Sequence, residues 1–490
     1  MMQNILHYLL QINLSYLFQG IYLFTIFFVV GLVIHEKRDP VKTISWVLVI
    51  ILLPIVGVIF YFVFGQNYRK QKMFSRKGLK DIAFIDKIQE EQLLSFSKNK
   101  LGKHVRSDFR SIIGLLLNNS KSLYTENNSV KILNNGEETF DHIVDAISKA
   151  EVYIHLEYYI FSDDKIGTRI QQLLIEKAAK GVEVCLIYDD VGSWYLKSTF
   201  VQEMRQAGIQ VYPFMEVSFP WFTRKVNFRN HRKIVVVDGK VGFVGGVNVA
   251  DRYIEGDPKL GFWRDTHLEM VGDAVRLLAL VFQMDWYFVS GKTFEPLDRY
   301  LPPFGKVGDT AVQICSAGPD SDWASIMQAY FSAITKAKKH IYISTPYFMP
   351  NESILTAIKT AALSGVDVRI MIPHKSDSAI VYWSTLSYLA EMLEAGVKFY
   401  FYEKGFNHSK IMMVDGSFAS VGTANLDIRS FEDNFEVSAF IYDDAVTQEL
   451  ERQFHADLLN CRLITLHYWE RRPFINSLKE GVARLFSPLL

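Results

Sequence analysis

The chain has 490 residues, of which 49% are hydrophobic and 14% aromatic, so it is too long for one simple domain and apolar enough for a large core. Its 53 Lys and Arg residues balance 53 Asp and Glu residues, which gives no support to nucleic acid as the main partner. Cys185, Cys315 and Cys461 are scattered without CxxC spacing, which argues against a disulfide framework and a zinc site.

Two long stretches without a formal charge, residues 14–34 and 44–64, dominate the N-terminus. At about 1.5 Å per residue, each can cross about 30 Å of hydrocarbon. The first has no basic residue ahead of it and no small-residue cleavage site, which favours a membrane span over a signal peptide. The sequence therefore predicts a transmembrane hairpin over residues 1–66.

The orientation of this hairpin is predicted from the basic residues around it. Those that follow the second stretch are Arg69, Lys70, Lys72, Arg76, Lys77 and Lys80. They favour a cytoplasmic face for the rest of the chain, although the short loop also carries Lys37, Arg38 and Lys42. We expect a multi-pass protein of the cytoplasmic membrane with both termini and the domains that follow the hairpin on the cytoplasmic side.

Strands and helices alternate after a polar segment, residues 67–135, which predicts a juxtamembrane connector. Residues 152–161 have the β-branched and aromatic character of a strand, residues 166–180 have helical spacing, and residues 182–188 form a second apolar run. Strand, helix and strand in this order predict a parallel pair joined by a crossover.

The second part of the chain repeats this order of elements. Residues 341–348 match residues 154–161, and Gly365 to Val368 match Gly181 to Val184. Residues 299–308, with two prolines, predict the linker between the repeats. We therefore predict domains over residues 136–298 and 310–466.

One motif occurs in both repeats with the same internal spacing. NHRKIVVVDGKVGFVGGVN runs from Asn230 to Asn248, and NHSKIMMVDGSFASVGTAN runs from Asn407 to Asn425. The repeated positions are His231 and His408, Lys233 and Lys410, Asp238 and Asp415, Gly245 and Gly422, Gly246 and Thr423, and Asn248 and Asn425. Two copies indicate a duplicated unit and one site built from two half-sites.

The residue types in this motif suit phosphoryl chemistry. Residues two apart on a strand share a face, so each His and its Lys point to one place. Asp followed by Gly predicts a turn, the Gly-Gly and Gly-Thr pairs let the backbone approach a ligand, and each Asn offers an amide donor. One His can attack phosphorus while the other transfers protons, and the Lys and Asn residues stabilise negative charge, so no metal or cofactor is needed. We predict the His, Lys and Asp of both copies as catalytic residues and the Gly, Thr and Asn positions as substrate-binding.

A carboxylate follows each motif at an equivalent position. Residues 265–275 (DTHLEMVGDAV) align without a gap on residues 436–446 (EVSAFIYDDAV), which places Asp265 opposite Glu436. The start of the strand after each motif is where a carboxylate partner for that motif's His could lie.

The paired HxKx4D motifs resemble the phospholipase D superfamily. Within it the chain is similar to the bacterial cardiolipin synthases, through the two N-terminal spans, Trp263-Arg264-Asp265-Thr266-His267, Thr345-Pro346-Tyr347-Phe348-Met349-Pro350 and the closing Ser487-Pro488-Leu489-Leu490. This resemblance implies an α/β fold of two tandem α-β-α sandwich domains, related by a pseudo-twofold axis, after the membrane hairpin.

The resemblance also implies a reaction. One phosphatidylglycerol loses glycerol to leave a phosphatidyl-histidine, and a second phosphatidylglycerol takes up the phosphatidyl group to give cardiolipin. His231 would be the nucleophile and His408 the general acid and base, with Asp265 and Glu436 orienting the imidazoles. The runner-up is a phosphatidyltransferase using serine or ethanolamine, or a phospholipase D using water. A nuclease is disfavoured by the neutral charge and the anchor, and an inactive scaffold by the intact motifs.

Residues 467–490 predict an amphipathic C-terminal tail. The segment mixes Trp469, Phe474, Leu485 and Phe486 with several Arg and Lys residues. It could lie on an anionic membrane surface, or it could be a terminal helix docked on the body.

Overall fold

A computed structural model describes residues 14–35, 40–53, 56–58, 61, 81–217 and 227–489. The chain divides into two compact units, and the larger comprises Lys72–Val217 and Phe228–Leu490.

The smaller unit contains helix α1 (Leu14–His35) and helix α2 (Pro40–Leu52), which pack against each other. Their buried contacts include Val29, Val33 and Ile50. The first predicted span, residues 14–34, is therefore helical, and residues 54–55, 59–60 and 62–64 of the second lie outside the described residues. Across the described ranges, no helix combines the length and hydropathy required to cross a membrane.

The first half of the larger unit is a seven-stranded sheet with its helices. Its elements are β2 (Asn128–Asn134), α5 (Asn135–Ser148), β3 (Tyr153–Tyr158), α6 (Lys165–Ala179), β4 (Glu183–Asp189), α7 (Ser198–Gln206), β5 (Gln210–Phe214), β6 (Ile234–Val237), β7 (Val241–Gly245), α8 (Arg252–Glu255), β8 (Phe262–Arg264), β9 (Thr266–Gly272), α9 (Asp273–Ser290) and α10 (Leu297–Tyr300). The strand order is β2-β9-β7-β6-β3-β4-β5.

The second half is built on a nine-stranded sheet. Its elements are β10 (Val312–Ala317), α11 (Ser325–Lys336), β11 (His340–Ser344), β12 (Phe348–Met349), α12 (Glu352–Leu363), β13 (Asp367–Pro373), α13 (Ala379–Leu386), α14 (Leu389–Glu394), β14 (Lys398–Tyr402), β15 (Gly405–Asn407), β16 (Ile411–Val414), β17 (Phe418–Gly422), β18 (Leu426–Asp427), α15 (Ile428–Glu432), β19 (Glu436–Ile441), α16 (Asp444–Leu458), β20 (Cys461–Ile464), α17 (Leu466–Glu470) and α18 (Phe474–Arg484). The inner order β19-β17-β16-β11-β13-β14 repeats β9-β7-β6-β3-β4-β5 of the first half.

The predicted parallel pairs are confirmed, because β3 lies parallel to β4 and β11 lies parallel to β13. Successive side chains of β3 point to opposite faces of the sheet, and helices cover both faces. Ile154 and Leu156 pack with Ile143 of α5 and Ile170 of α6, whereas the intervening His155 stacks on a ring of α9. Helices on both faces make the first half an α-β-α sandwich.

The segment predicted as a connector contributes to both sheets. It contains α3 (Asp81–Ser97), α4 (Ser107–Ser120) and β1 (Tyr124–Thr125) as well as β2. Strand β1 pairs with β10 at the edge of the second sheet, and β2 pairs with β9 in the first. The side chains of α4 that enter the core of the second half are Phe109, Ile112, Ile113, Leu116 and Leu117. The apolar pattern around residues 112–117 is visible in the sequence, but the polar composition of the rest of residues 67–135 favours a connector over a helix that enters the core.

Candidate active site

The two motifs meet where short parallel strands join the halves. Asn407 of β15 pairs with Arg264 of β8, and Asn230 forms a parallel bridge with Phe435. The next residue in each case is a motif His or one of the two carboxylates. The amide of His231 donates to the carbonyl of Phe435 at 2.9 Å, and that of His408 donates to the carbonyl of Arg264 at 2.7 Å.

Each imidazole is held by the carboxylate of the other half. Nδ1 of His231 lies 3.0 Å from Oε1 of Glu436, and Nδ1 of His408 lies 2.7 Å from Oδ2 of Asp265. The alignment placed each carboxylate after its own motif's His, and the structure instead pairs them crosswise. An Nδ1–H that donates to a carboxylate leaves Nε2 of the neutral ring with a lone pair for chemistry.

The motif lysines are buried beside the imidazoles. Nζ of Lys233 donates to the carbonyl of His231, and Nζ of Lys410 donates to that of His408, both at 2.6 Å. Burial lowers the pKa of Lys233 to about 7 and that of Lys410 to about 8, although nearby carboxylates oppose the change. Both ammonium groups therefore titrate near neutral pH, instead of remaining charged throughout.

The two half-sites differ electrostatically. Burial lowers the pKa of His231 to about 4 and also lowers the pKa of His408 well below its usual value. Burial raises the pKa of Asp265 to about 7. Burial also acts to raise the pKa of Glu436, but the charge of His231 and its hydrogen bond outweigh it and the pKa is lowered. The carboxylate of Glu436 is thus the more firmly ionised of the two.

Asp238 and Asp415 lie at the opposite ends of β6 and β16 from the motif histidines. Both have φ of +53° in the left-handed region. Asp238 accepts hydrogen bonds from the amides of Glu151, Val152 and Tyr153, and Asp415 accepts them from Lys338, Lys339 and His340, at 2.8–3.0 Å. These predicted catalytic residues therefore fix the backbone where β3 and β11 begin.

The positions predicted to let a ligand approach are instead filled by the carboxylates. A Cβ at Gly246 would lie 2.0 Å from Oδ1 of Asp265. The equivalent Thr423 uses its hydroxyl to donate to Glu436. At Gly245 and Gly422 a Cβ would fall 2.6 Å and 2.4 Å from the neighbouring strand residues, so these glycines serve close strand packing.

The two motif asparagines are not equivalent. Oδ1 of Asn248 accepts from the amide of Ile160 at 3.0 Å, and its Nδ2 donates to the hydroxyl of Tyr253 at 2.6 Å. Oδ1 of Asn425 is buried and has no hydrogen-bond partner among the described residues. Asn248 thus supports the protein, whereas Asn425 retains an unused polar atom.

Two tyrosines complete the walls of the site. The ring of Tyr159 lies edge-on to His231, with centroids 5.0 Å apart, and that of Tyr253 lies edge-on to His408, at 5.7 Å. These contacts restrict the rotation of each imidazole.

Arg252 and Arg429 were missed by sequence reasoning. Each follows its motif Asn by four residues, so the internal repeat itself carried the signal. The charge of Arg252 contributes to the lowered pKa of His408, and those of Arg429 and Arg252 oppose the rise in the pKa of Tyr159. Both cations therefore add positive potential at the paired histidines, where an anionic substrate would bind.

One group of potential metal ligands occurs elsewhere in the described residues. Donor atoms of His155, Glu183 and Cys185 lie within 4.8 Å of one another. Glu183 already accepts a hydrogen bond from the hydroxyl of Tyr300 at 2.9 Å, and the His155 ring stacks on Phe282. These contacts account for the cluster as packing, and we assign no metal to it.

The duplicated sheet order and the joined HxKx4D half-sites define a two-domain phospholipase D-like enzyme. Residues 143–286 and 330–458 match the family described as "Cardiolipin synthase, PLD-like domain", and residues 20–66 match the phospholipase D-nuclease N-terminal family. The chain belongs to the cardiolipin synthase family.

Named relatives agree with this assignment. The chain is 45% identical to a cardiolipin synthase of Geobacillus sp. (strain WCH70), over 95% of this chain and 92% of the relative. It is 40% identical to the major cardiolipin synthase ClsA of Bacillus subtilis (strain 168), over 97% and 99%. The crystal structure of phosphatidylserine synthase from Haemophilus influenzae Rd KW20 matches with a TM-score of 0.58 at 14% identity, covering 78% of this chain and 100% of that one, which supports the fold alone.

Proposed function

We propose that this chain is a membrane phosphatidyltransferase that converts two phosphatidylglycerol molecules into cardiolipin and glycerol through a phosphatidyl-histidine. The observation that carries the proposal is the pair of buried imidazoles, each oriented by a carboxylate of the other half. The names of relatives that match nearly the whole chain support the substrate class.

In the first half-reaction, Nε2 of His231 attacks the phosphorus of phosphatidylglycerol. A nitrogen–phosphorus bond forms and the bond from phosphorus to the glycerol oxygen breaks. His408, which must be in its protonated imidazolium form for this step, donates the proton on its Nε2 to that oxygen and becomes neutral. We assign the attack to His231 by family resemblance. Its ionised partner Glu436 supports this choice, because that carboxylate stabilises the positive charge that develops on the imidazole.

In the second half-reaction, His408 takes a proton from a glycerol hydroxyl of another phosphatidylglycerol. The resulting oxygen attacks phosphorus, the nitrogen–phosphorus bond breaks, and cardiolipin leaves with His231 restored. Lys233 and Lys410 stabilise the non-bridging oxygens in both steps. Asp238 and Asp415 contribute in this proposal by fixing the strands that carry the motifs.

The predicted location in the membrane completes the proposal. The uncharged stretches at residues 14–34 and 44–64 form the membrane hairpin, and the domains over residues 136–298 and 310–466 act on lipid at the cytoplasmic face. Two uncharged stretches and the N-terminal family match at residues 20–66 support this arrangement. Transfer to serine, ethanolamine or water is the alternative, and no observation favours it.

Product analysis tests the proposed reaction. Purified full-length protein given radiolabelled phosphatidylglycerol as the lone lipid should yield cardiolipin and free glycerol in equal amounts, because each transfer releases one glycerol. Thin-layer chromatography of the lipid and enzymatic assay of glycerol measure both products. Formation of phosphatidic acid without cardiolipin would identify water as the acceptor, and new phosphatidylserine or phosphatidylethanolamine after addition of the alcohol would identify the runner-up.

The rate should have a bell-shaped pH dependence, because the first step needs His231 neutral and His408 protonated. On the alkaline side the proton of His408 is lost first, because burial and the charges of Lys410 and Lys233 lower its pKa well below the usual range, and a further decline should follow near pH 7–8. The ammonium groups of Lys233 and Lys410, whose pKa values are about 7 and 8, lose their charge as pH rises through this range, which removes stabilisation of the phosphoryl oxygens. On the acid side His231 stays neutral down to about pH 4, so that limb should lie well below the usual range of histidine. Initial rates in one set of vesicles across a pH series measure both limbs. A rate that climbs steadily with pH would contradict this division of roles.

A further inference from the structure

The C-terminal helix α18 carries a continuous apolar stripe that faces away from the protein. Phe474 is 83% exposed and Leu485 is 78% exposed. The other large apolar side chains exposed on this helix and just after it are Ile475, Leu478, Val482 and Phe486. At about 100° per residue, all six fall within roughly one third of the helix circumference. A contiguous apolar patch exposed on a protein surface indicates an interaction site.

The opposite side of α18 is docked on the second half. Glu480 and Ala483 are buried, and Arg472 binds Glu480 with an N–O distance of 2.7 Å. Arg484 binds Glu391 of α14 at 2.9 Å. Helix α18 is therefore held against the second half, and its apolar stripe is exposed because the helix is docked through its other face. The membrane-surface and docked-helix alternatives for the tail are therefore compatible, because one face of α18 packs on the second half and the opposite face is exposed to solvent.

The charges beside the stripe favour an anionic lipid surface. Residues 466–489 contain four Lys and Arg residues against two Glu residues. Glu480, one of those two acids, is buried in the pair with Arg472, whereas Arg471 and Lys479 are exposed. Lys479 also lies over the ring of Trp383, 5.0 Å from its centroid. Exposed cations next to Phe, Ile and Leu are the pattern of a helix that lies in the headgroup region.

A second copy of the chain is a poorer occupant. A helix of 11 residues is about 16 Å long, and one stripe on it offers far less than the roughly 800 Å² per partner that a stable dimer buries. A bilayer needs no matching surface, and the proposed substrate is itself an anionic lipid.

We propose that α18 lies in the surface of the bilayer that supplies the substrate, with its apolar stripe at the boundary between headgroups and acyl chains. The contact would be a second attachment, additional to the predicted N-terminal hairpin, and would hold the second half at a fixed orientation to the lipid. The inference rests on the proposed function, since it requires a catalytic body that works at a membrane.

Site-specific fluorescence tests the contact in the full-length protein. Cys461 is first replaced by Ser, because Cys185 and Cys315 are buried and Cys461 is partly exposed. Leu478→Cys on the stripe and Ser477→Cys outside it are then labelled with an environment-sensitive dye and reconstituted in phosphatidylglycerol vesicles. The dye at position 478 should be quenched by acyl-chain-brominated lipid and shielded from iodide, and the dye at 477 should show the reverse.

A second variant measures the consequence for turnover. Replacing Phe474, Leu478 and Val482 together by Ser removes the centre of the stripe without touching the docked face. Cardiolipin formation in vesicles should fall about tenfold while the rate in detergent micelles is unchanged, because micelles bring lipid to the site in any orientation. Ser477→Ala, outside the stripe on the same helix, should retain the wild-type rate in both.

The outcomes separate this inference from the proposed function. Cardiolipin formation by the wild type with a water-exposed dye at position 478, or a triple variant with full vesicle activity, overturns the role of α18 and leaves the function intact. A dye shielded from iodide yet not quenched by lipid, together with a particle mass of two chains, identifies a second copy as the occupant and also overturns it. Absence of cardiolipin from the wild type would instead reject the proposed function.

Discussion

His231→Gln and His408→Gln are each expected to lower cardiolipin formation by about 10³-fold or more, and the double variant should be no worse than either single one. The reason is that the nucleophile and the proton-transfer group act on the same bonds, so loss of one leaves the other without a step to assist. Both side chains are nearly buried, at 8% and 7% exposure, and Gln preserves most of their volume. Conversion of labelled phosphatidylglycerol measures the effect.

A phosphatidyl substrate whose leaving group is p-nitrophenol assigns the two roles. This group departs as a stable anion and needs no proton. His408→Gln should therefore release a burst of p-nitrophenol and keep the labelled phosphatidyl group on the protein, whereas His231→Gln should do neither. Bursts from both variants, or a burst from His231→Gln alone, would contradict the assignment of His231 as the nucleophile.

Two controls make this result interpretable. His104→Gln, at an exposed position, should have wild-type activity. Thermal melting of each variant checks the fold, because a buried carboxylate that loses its partner can cost about 3–5 kcal/mol of stability. A variant that has the melting temperature of the wild type but no activity is folded, so its defect lies in the catalytic step.

The alternating core of each half was predictable because its pattern is local. Strand β3, helix α6 and strand β4 follow from one apolar run, one helical period and a second run, and the same signals recur at β11, α12 and β13. The packing of helix α4 was not predicted, since it depends on a core supplied by residues of the second half, far along the chain. Strand β1 has two residues, which is too short to show the alternation that predicts a strand.

The sequence predicted which residues form the candidate site, but it did not predict which of them contact each other. The repeat identified His231, His408, Asp265 and Glu436, because equal spacing marks equivalent positions. It could not show the exchange of partners, since equivalence within a repeat says nothing about which half supplies a contact. The roles of Asp238 and the motif glycines were also hidden, because they depend on backbone amides and on a carboxylate brought close by the fold.

Asp265→Asn and Glu436→Gln are expected to lower cardiolipin formation by about 10²–10⁴-fold, and the crossed pairing makes their defects different in kind. An amide in place of either carboxylate can donate to Nδ1 and so leave the proton on Nε2, the wrong tautomer for attack or for proton abstraction. Because Asp265 holds His408, its variant should behave as an impaired proton-transfer site. Because Glu436 holds His231, its variant should behave as an impaired nucleophile.

The p-nitrophenol substrate distinguishes these defects as well. Asp265→Asn should retain a rapid burst, whereas Glu436→Gln should slow the burst as much as the overall reaction. Glu449→Gln, an exposed acid on α16, should match the wild type and controls for the loss of a negative charge. If each carboxylate instead served the His of its own motif, the two patterns would be exchanged: Glu436→Gln would keep the burst and Asp265→Asn would lose it. The comparison therefore tests the crosswise contacts directly, because both variants remove the same chemical group from equivalent positions and differ in which histidine they leave without a partner.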